Sequence, residues 1–361
     1  MDNHSKKTSV DPGKVTIVDV ARVAGVSYST VSRVLNGYEF VKESTRQKVL
    51  NAAEQLGYVA NQQARSLAGG KSRAIGLLVP GLDNGYVGEI IRGIDEEVAK
   101  YDYDLLLYTT RRNTGKESSY VLKMTRGLAD GLLLIVPLVT NEYIEALQNL
   151  NFSYVLIDQS DPTDSSSIVD STNWQGAYDA TQYLIELGHT RIGFITGLMS
   201  IHSAGDRLDG YRAALQDHNI PYDSTLVVEG DFWPEAGYAC AEALLDLPEP
   251  PTAIFASNDL SAFGTIEAAR DRGLDIPRDL SIVGFDDIPQ ASLVYPQLTT
   301  VRQPLDQMGR IAARMLIEEI EEHRHSPRRV TLSTQLIVRN SCSPPAGGTP
   351  PFGGFPPTGG I

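Results

Sequence analysis

The stretch TIVDVARVAGVSYSTVSRVLN, residues 16–36, decides how the N-terminal region folds. Thr16 with Asp19 three positions later is typical of a capped helix start, and Gly25 ends the short helix that follows. Ser27 is placed to cap a second helix, in which apolar residues recur at helical spacing. Two short helices joined by a tight turn that contains glycine predict a helix-turn-helix.

The residues around this pair complete a small domain. A third helix is predicted over Glu43 to Leu56 by the spacing of its apolar residues. Residues 15–59 are therefore expected to form a three-helix domain, preceded by a polar, flexible arm over residues 1–14. Residues 60–72 have helical propensity but almost no apolar face, and they end in Gly-Gly-Lys-Ser, so we interpret them as a short helix and linker that need a partner to become ordered.

Residues 73–341 have a different pattern, in which short apolar strands alternate with longer amphipathic segments. This alternation predicts an α/β body with parallel sheets. The strand candidates are Ala74–Val79, Tyr103–Tyr108, Gly131–Val136, Tyr154–Ile157, Ile168–Val169, Arg191–Thr196, Leu226–Glu229, Ala253–Ala256, Ser281–Phe285 and Thr331–Val338. So many strands favour two lobes with a cleft between them over one sheet. The Pro/Gly tail over residues 342–361 is expected to be disordered.

Charge divides the chain near the same boundary. The first 73 residues carry eleven Lys and Arg against six Asp and Glu, and the remainder carries 20 against 39. A basic end favours association with phosphate backbones, which an acidic body repels. On charge alone, a nucleic-acid-binding module and a solvated N-terminal tail are equally good interpretations.

Composition excludes several classes of protein. A hydrophobic fraction of 42% with 21% charged residues excludes a wholly disordered or collagen-like chain. No apolar run approaches the roughly 18–20 residues that span a bilayer, and the first residues lack the apolar core of a secretory signal. Cys240 and Cys342 form no CxxC motif, as expected in a reducing compartment. We expect a soluble cytoplasmic protein without a membrane partner.

The sequence carries no convincing catalytic or metal-binding pattern. No GxSxG, Walker A or GxGxxG motif opens a helix after a predicted strand. His323 and His325 lie two residues apart, but no Cys or carboxylate follows them at ligand spacing, so a solvated helix end is the better interpretation. We expect no enzyme, no cofactor and no metal.

Residues 16–36 closely resemble the DNA-binding head of the LacI/GalR family of bacterial repressors, and residues 51–61 and 64–68 are similar to its third helix and hinge helix. Segments that resemble the regulatory domain of that family are Leu187–Phe194, Ile254–Asp259, Ser281–Asp287 and Leu298–Arg302. The resemblance covers about residues 15–341. It identifies residues 60–72 as the hinge helix and linker.

The resemblance implies an α/β fold in which a small all-α helix-turn-helix head precedes a two-lobed body like that of periplasmic sugar-binding proteins. Residues 73–341 would bind the effector and dimerise. Three crossings between lobes place the N-lobe at about residues 73–168 plus 299–325 and the C-lobe at about 169–298 plus 326–341. Because the Pro/Gly tail cannot form the leucine-rich helix of tetrameric relatives, we expect a homodimer.

The resemblance assigns DNA contacts to the head and the hinge. Base edges would be read by Tyr28, Ser29 and Arg33, with Arg33 as the candidate for bidentate contact to guanine. The residues expected to cap helices or contact phosphates are Thr16, Ser27, Thr30, Ser32 and Asn36. Family members insert the leucine at the position of Leu67 between minor-groove base steps, and Asn61, Ala64 and Arg65 would accompany it. Packing of Leu67 under the regulatory lobe is the alternative.

Six residues are expected to line a small-molecule cleft. They are Tyr86, Asp158, Arg207, Phe232, Asn258 and Asp286. By resemblance, Tyr86 and Phe232 are aromatic ligand contacts and Arg207 grips the ligand, although Asn84-Gly-Tyr-Val departs from the commoner Asn-Pro-Phe-Phe. Asn258 and Asp286 have the alternative of capping the helices that follow them. Weaker candidates near the same cleft are Asp170, Asn173 and Trp174.

Together these features predict a transcriptional repressor that binds a palindromic DNA operator as a dimer and responds to a small-molecule effector. A sugar is the expected effector, although aromatic, acidic, amide and guanidinium side chains also suit a purine. A protein co-effector is a further alternative. A non-DNA-binding solute-binding protein of the periplasmic type would share the body but lack the helix-turn-helix. We expect the repressor in the bacterial cytoplasm, on the nucleoid when it is bound to DNA.

Overall fold

The computed structural model describes residues 15–35, 40–58, 71–82, 85–138, 140–161, 164–322 and 326–346. The chain divides into two compact units, with the boundary between Ser72 and Arg73. Several predictions concern residues outside the described ranges: the arm over residues 1–14, Asn36, Asn61, Ala64, Arg65, Leu67, His323, His325 and residues 347–361 of the tail.

Within its described residues, the first unit contains three helices, α1 (Ile17–Ala24), α2 (Tyr28–Leu35) and α3 (Glu43–Gln55). The backbone N–H of Thr16 donates to Asp19 over 3.0 Å at the start of α1, and Gly25 ends the helix at φ +63°. The predicted helix-turn-helix and third helix are therefore present. One side of each helix packs into a core formed by Val20, Ala21, Val31, Val34, Val49, Ala52 and Ala53.

The second unit alternates strands and helices. Its strands are β1 (Ala74–Val79), β2 (Asp104–Thr109), β3 (Gly131–Ile135), β4 (Tyr154–Ile157), β5 (Ser167–Ser171), β6 (Ile192–Thr196), β7 (Val227–Glu229), β8 (Ala253–Ala256), β9 (Ser281–Asp286), β10 (Thr299–Arg302), β11 (Arg329–Leu332) and β12 (Gln335–Ile337). Its helices are α4 (Gly85–Val98), α5 (Thr114–Met124), α6 (Thr140–Asn149), α7 (Asn173–Glu186), α8 (His202–Asp217), α9 (Pro234–Leu245), α10 (Asp259–Asp271) and α11 (Leu305–Glu322).

The strands form two six-stranded sheets, each with helices packed against it. The first has the order β11-β5-β4-β3-β1-β2, and the second has the order β12-β10-β9-β8-β6-β7. All paired strands run parallel except β10 and β12, which are antiparallel. The prediction of a two-lobed α/β body is confirmed, with this one antiparallel edge strand as a difference.

The crossings between the lobes lie at other residues than the sequence predicted. β5 and β11 pair with each other in the first sheet, whereas β10 pairs with β9 in the second. The predicted boundaries at 168/169, 298/299 and 325/326 are therefore wrong. The first falls within β5, which belongs to the first sheet, and the second falls before β10, which still belongs to the second sheet. The third falls before β11, which belongs to the first sheet. The single strand predicted over Thr331–Val338 is also wrong, since β11 and β12 belong to different sheets. An apolar strand does not show in its own sequence which sheet it will join.

The body continues beyond the predicted start of the tail at residue 342. The backbone N–H of Ser343 donates to Ser281 Oγ over 3.0 Å, and the buried ring of His189 contacts the Ser343 carbonyl oxygen over 2.9 Å. Burial lowers the pKa of His189, which favours its neutral form. The sequence underestimated the body here because polar contacts, and not an apolar pattern, hold Cys342 and Ser343 in place.

Candidate functional site

The N-terminal end of α2 presents a polar surface. Ser27 Oγ accepts a hydrogen bond from the backbone N–H of Thr30 over 3.2 Å, and it lies 2.8 Å from Ser29 Oγ and from Thr30 Oγ1. Ser27 therefore caps the helix, as predicted. Tyr28, Ser29 and Arg33 are exposed, with 55% of Tyr28 accessible. The opposite face of the same helix is buried in the core of the head.

This surface has the chemistry required to read base edges. Short hydroxyl groups and a forked guanidinium at the first turns of an exposed helix reach donors and acceptors in a major groove about 12 Å wide. Thr16 stabilises the start of α1, because its hydroxyl donates to Asp19 over 2.7 Å. That hydrogen bond is the main reason why the pKa of Asp19 is lowered. Thr30 and Ser32 are only partly exposed.

A cavity between the two lobes of the body is lined by all six predicted effector residues. It encloses about 650 Å³ that protein atoms do not fill, including space that opens to solvent. Tyr86 on α4 and Asp158 after β4 come from the first lobe. The second lobe contributes Arg207 on α8, Phe232 before α9, Asn258 before α10 and Asp286 at the end of β9. The sequence missed other lining residues, including Val87, Arg112, Ile201, Ser203, Leu260 and Ile288.

Hydrogen bonds connect the two lobes across the floor of this cavity. The Tyr86 hydroxyl donates to Asp158 Oδ2 over 2.8 Å. Asn173 Nδ2 donates to the other oxygen of Asp158 over 3.4 Å, and Arg207 Nε donates to Asn173 Oδ1 over 2.9 Å. Burial and the nearby Asp158 carboxylate raise the pKa of Tyr86, so its hydroxyl keeps its proton and donates.

Arg207 is a buried cation with several partners. Only 2% of the residue is exposed, and its guanidinium also donates to the Ser257 carbonyl oxygen. The guanidinium carbon lies 3.8 Å from the centre of the Phe285 ring, and Nη1 lies 3.7 Å from Asp286 Oδ1. Stacking and ion pairing fix the plane of the guanidinium, so that its remaining donors have a defined direction.

Asp286 is a buried carboxyl at the junction of the lobes. Gln303 Nε2 donates to Asp286 Oδ1 over 2.7 Å, and Ser171 Oγ donates to Gln303 Oε1 over 2.6 Å. Burial raises the pKa of Asp286 to about 7, with a further contribution from Asp158, while Arg207 and Gln303 oppose this rise. Near neutral pH the carboxyl therefore exchanges between donor and acceptor forms.

The capping alternatives have different outcomes. Asn258 Oδ1 accepts from the backbone N–H of Ser261 over 2.9 Å, while its Nδ2 donates to the Phe232 carbonyl oxygen over 3.0 Å. Asn258 thus caps α10 and also lines the cavity, so both interpretations apply. Asp286 uses its carboxyl for Gln303 and Arg207. Asp287 forms ion pairs of 2.6 Å with Arg302 and Arg339.

Phe232 projects into the cavity from a residue with φ +71°. Its ring lies against Gly197, where an added Cβ would come within 1.8 Å of the ring. A side chain at position 197, immediately after β6, is therefore incompatible with this position of the Phe232 ring. The guanidinium carbon of Arg207 lies 5.9 Å from the centre of the same ring.

Of the three weaker candidates, Asn173 alone belongs to the hydrogen-bond network described above. Asp170 pairs with Arg329 over 2.7 Å beside the first sheet. Trp174 stacks on Tyr178 with ring centres 5.3 Å apart and is 41% exposed. Neither Asp170 nor Trp174 lines the cavity.

The described part of the chain contains neither a membrane-spanning helix nor a metal-binding cluster. Within those residues, no helix combines the length and apolar character needed to cross a membrane. His, Cys, Asp and Glu side chains in the same ranges nowhere gather in a group of three or more that could hold a metal ion.

Comparisons with known proteins cover both units. Residues 16–61 match the family model "Bacterial regulatory proteins, lacI family", and residues 181–342 match that of a periplasmic binding protein-like domain. Catabolite control protein A of Priestia megaterium is 38% identical over 329 residues, which are 91% of this chain and 99% of that protein.

Two solved structures are similar over most of the chain. The lac repressor dimer bound to operator and the anti-inducer ONPF has a TM-score of 0.79 at 28% identity, covering 92% of this chain and 100% of that chain. The complex of the transcriptional regulator CelR with cellobiose has a TM-score of 0.69 at 32% identity, covering 91% of this chain and 100% of the other.

Proposed function

The chain belongs to the lacI family of bacterial regulatory proteins, and we propose that it is a repressor that binds a palindromic operator as a homodimer under the control of a small-molecule effector. It is a transcriptional regulator and not an enzyme. A solute-binding protein without DNA-binding activity does not fit a chain that carries the helix-turn-helix. We place the protein in the bacterial cytoplasm and, when it is bound to operator, on the nucleoid.

The single observation that carries this proposal is the combination of an exposed polar recognition surface with a cavity lined by all six predicted effector residues. Base reading is assigned to Tyr28, Ser29 and Arg33, and phosphate contact or capping to Thr16, Ser27, Thr30, Ser32 and Asn36. In the hinge, Leu67 would enter the minor groove with Asn61, Ala64 and Arg65. The similar lac repressor dimer is itself bound to operator.

We assign the effector to neutral polyhydroxyl compounds, that is, to sugars. Arg207 already faces Asp286 at 3.7 Å and is linked through Asn173 to Asp158. A ligand carboxylate would approach two protein carboxyl groups, whereas hydroxyl groups can donate to the carboxylates and accept from Arg207. The Phe232 ring offers an apolar surface for a sugar ring. The similar CelR structure contains cellobiose.

Dimerisation is supported by an apolar surface near the end of the second sheet. Leu293 is 80% exposed and Tyr295 is 84% exposed, within the same short loop. Large apolar side chains that lie together on a surface typically mark a protein interface. A second copy of the chain would bury them. An effector held between the lobes would then change how the lobes of the two copies are arranged, and this change would be transmitted to the hinge.

A genomic binding experiment tests the proposal. Sheared genomic DNA is captured with the purified protein and sequenced, without ligand and with ribose, cellobiose, other neutral sugars and purines in turn. We expect a palindromic consensus whose occupancy changes with one sugar. Arg33→Ala should enrich the consensus less strongly, whereas Arg207→Met should keep the consensus but lose the response to the sugar. Absence of a palindrome under every condition would contradict the proposal.

A further inference from the structure

A side chain of the first lobe reaches the second lobe at the effector cavity. Arg112 follows β2, and its Nη1 donates to the backbone carbonyl oxygen of Asp231 over 2.6 Å. The guanidinium carbon lies 4.8 Å from the centre of the Trp233 ring. Asp231 and Trp233 flank Phe232, which is a cavity residue of the second lobe. Arg112 itself lines the cavity, so this contact joins the lobes beside the ligand space.

The backbone on both sides of the contact is unusual. Arg111 and Arg112 are consecutive non-glycine residues with φ +50° and +54°, and Phe232 opposite them has φ +71°. The Arg112 N–H donates over 3.2 Å both to the Pro80 carbonyl oxygen and to Thr110 Oγ1, which holds this backbone in place. Left-handed backbone is unfavourable for residues with a Cβ, and it persists where the surroundings impose it, most often at ligand clamps and switch regions.

The second lobe also holds its part of the contact in position. The backbone N–H of Trp233 donates to Asp231 Oδ1 over 2.9 Å, which fixes the turn that presents both the carbonyl oxygen and the ring. The half-buried ring then offers its face to the guanidinium. Arginine suits this position better than lysine, because a planar guanidinium can stack on the ring while one of its N–H groups donates sideways to the carbonyl oxygen.

We propose that Arg112, with Asp231 and Trp233, forms a clasp that holds the two lobes together at the cavity and determines how long a bound effector stays. Any effector that leaves through this side of the cleft must wait until the guanidinium has left the ring and the carbonyl oxygen. The effector part of this inference rests on the function proposed above. The clasp itself joins protein groups only, and it can be tested without a ligand.

The first test measures clasp opening in the ligand-free protein. The chain has two tryptophans, so Trp174→Phe leaves Trp233 as the reporter. In that background, we compare quenching of Trp233 by acrylamide in Arg112→Met and in Arg111→Met. Methionine at position 112 can still cover the ring but cannot donate, so greater quenching reports opening of the clasp. Arg111 is an exposed neighbour with the same left-handed backbone and is the matched control.

We expect quenching to increase in Arg112→Met and to stay at the starting value in Arg111→Met. Equal quenching in the two variants would overturn the clasp. If Arg112→Met does not fold by circular dichroism, Trp233→Leu opens the clasp from the other lobe and is examined by the ligand measurement alone.

The second test uses ribose and cellobiose as probes in stopped-flow dissociation experiments. Loss of a charged hydrogen bond and a cation–π contact should speed dissociation about tenfold in Arg112→Met. Arg112→Lys should give an intermediate rate and Arg111→Met the wild-type rate. If a sugar binds both variants and dissociates from Arg112→Met and Arg111→Met at the same rate, the clasp is wrong and the effector site stands. If quenching responds but neither sugar binds the wild-type protein, the clasp stands, and ribose and cellobiose are excluded as effectors.

Discussion

The polar surface of the head and the cavity of the body place their proposed functional residues in opposite environments. Tyr28, Ser29 and Arg33 are exposed, and the apolar core lies on the other side of the same helix. Arg207 and Asp286 are almost completely buried and are held by other side chains of the site. The proposed base-reading residues of the head therefore lie apart from the residues that form its core. In the cavity, the proposed effector residues belong to the buried network, so substituting them is expected to lower stability as well as change function.

The ligands explain this difference. A DNA groove is a large, hydrated polyanion, and side chains that reach it must extend from the protein surface. A small effector supplies few contacts, so its site gains affinity by excluding water and by fixing each polar group before binding. Buried polar groups then need partners within the protein, and the network from Tyr86 through Asp158 and Asn173 to Arg207 provides them.

Arg207→Ala should give the largest effect and tests the coupling of function with stability. The substitution leaves Asp286 and Asp158 without their buried cation and opens a cavity against Phe285. We expect the free energy of unfolding of the body to fall by about 3 kcal/mol. Urea unfolding followed by tryptophan fluorescence measures this, because Trp174 and Trp233 both lie in the body. Arg212→Ala, on an exposed part of the same helix, is the control and should change stability little.

The pH dependence of stability reports on Asp286. Its pKa of about 7 in the folded protein exceeds the ordinary value of 3.8, so the folded state keeps a proton that the unfolded chain loses. The free energy of unfolding should therefore fall as pH rises from about 4 to about 7 and level off above that range. Asp286→Asn removes this contribution, which amounts to about 2–3 kcal/mol between pH 5 and pH 7.

The measurement is the difference in urea stability between wild type and Asp286→Asn at several pH values. The pKa of the buried Asp259 is also raised, first by its burial and then by the nearby Asp286 charge, so Asp286→Asn also weakens this rise and the difference reports on both carboxyl groups. A difference that does not vary with pH would show that Asp286 is ionised in the folded protein throughout this range.

Arg33→Ala tests the opposite behaviour of the head. The side chain is exposed and lies outside the core, so stability should change by less than about 0.5 kcal/mol. Binding to the operator should weaken by about 1–3 kcal/mol, while binding to unrelated DNA stays nearly the same. Fluorescence anisotropy with operator and scrambled duplexes measures both affinities. Equal losses on the two duplexes would assign Arg33 to phosphate contact and not to base reading.

Ser27→Ala should give the smallest effect, because it removes a cap from an exposed helix end. The Thr30 N–H loses its side-chain acceptor, which costs about 1 kcal/mol locally. Hydrogen exchange at the first amides of α2 should become about fivefold faster. Ser27→Asn keeps an acceptor at this position and should exchange at nearly the wild-type rate. If the rates in Ser27→Ala are unchanged, the cap does not stabilise the helix.

Sequence reasoning succeeded where the decisive interactions are local. Thr16 caps α1 together with Asp19, three residues away, and the left-handed Gly25 ends the same helix. The apolar residues of α1, α2 and α3 recur every three or four positions within each helix. The strands Tyr154–Ile157 and Ala253–Ala256 were predicted with their observed bounds. All six predicted effector residues line one cavity. The positions of Asp158, Asn258 and Asp286 at strand ends predicted this, whereas Tyr86, Arg207 and Phe232 were expected there by resemblance to the family.

Tertiary structure decided what depends on partners distant in the chain. The sheet that each of β5, β10 and β11 joins is set by its neighbouring strands, which the strand's own residues do not reveal. The clasp joins Arg112 to residues 119 and more positions away, and Gln303 meets Ser171 across 132 positions. The sequence by itself determined local conformation and the kinds of side chain at each strand end. Long-range pairing alone determined which of those side chains meet, because contacts between distant residues form only when the whole chain has folded.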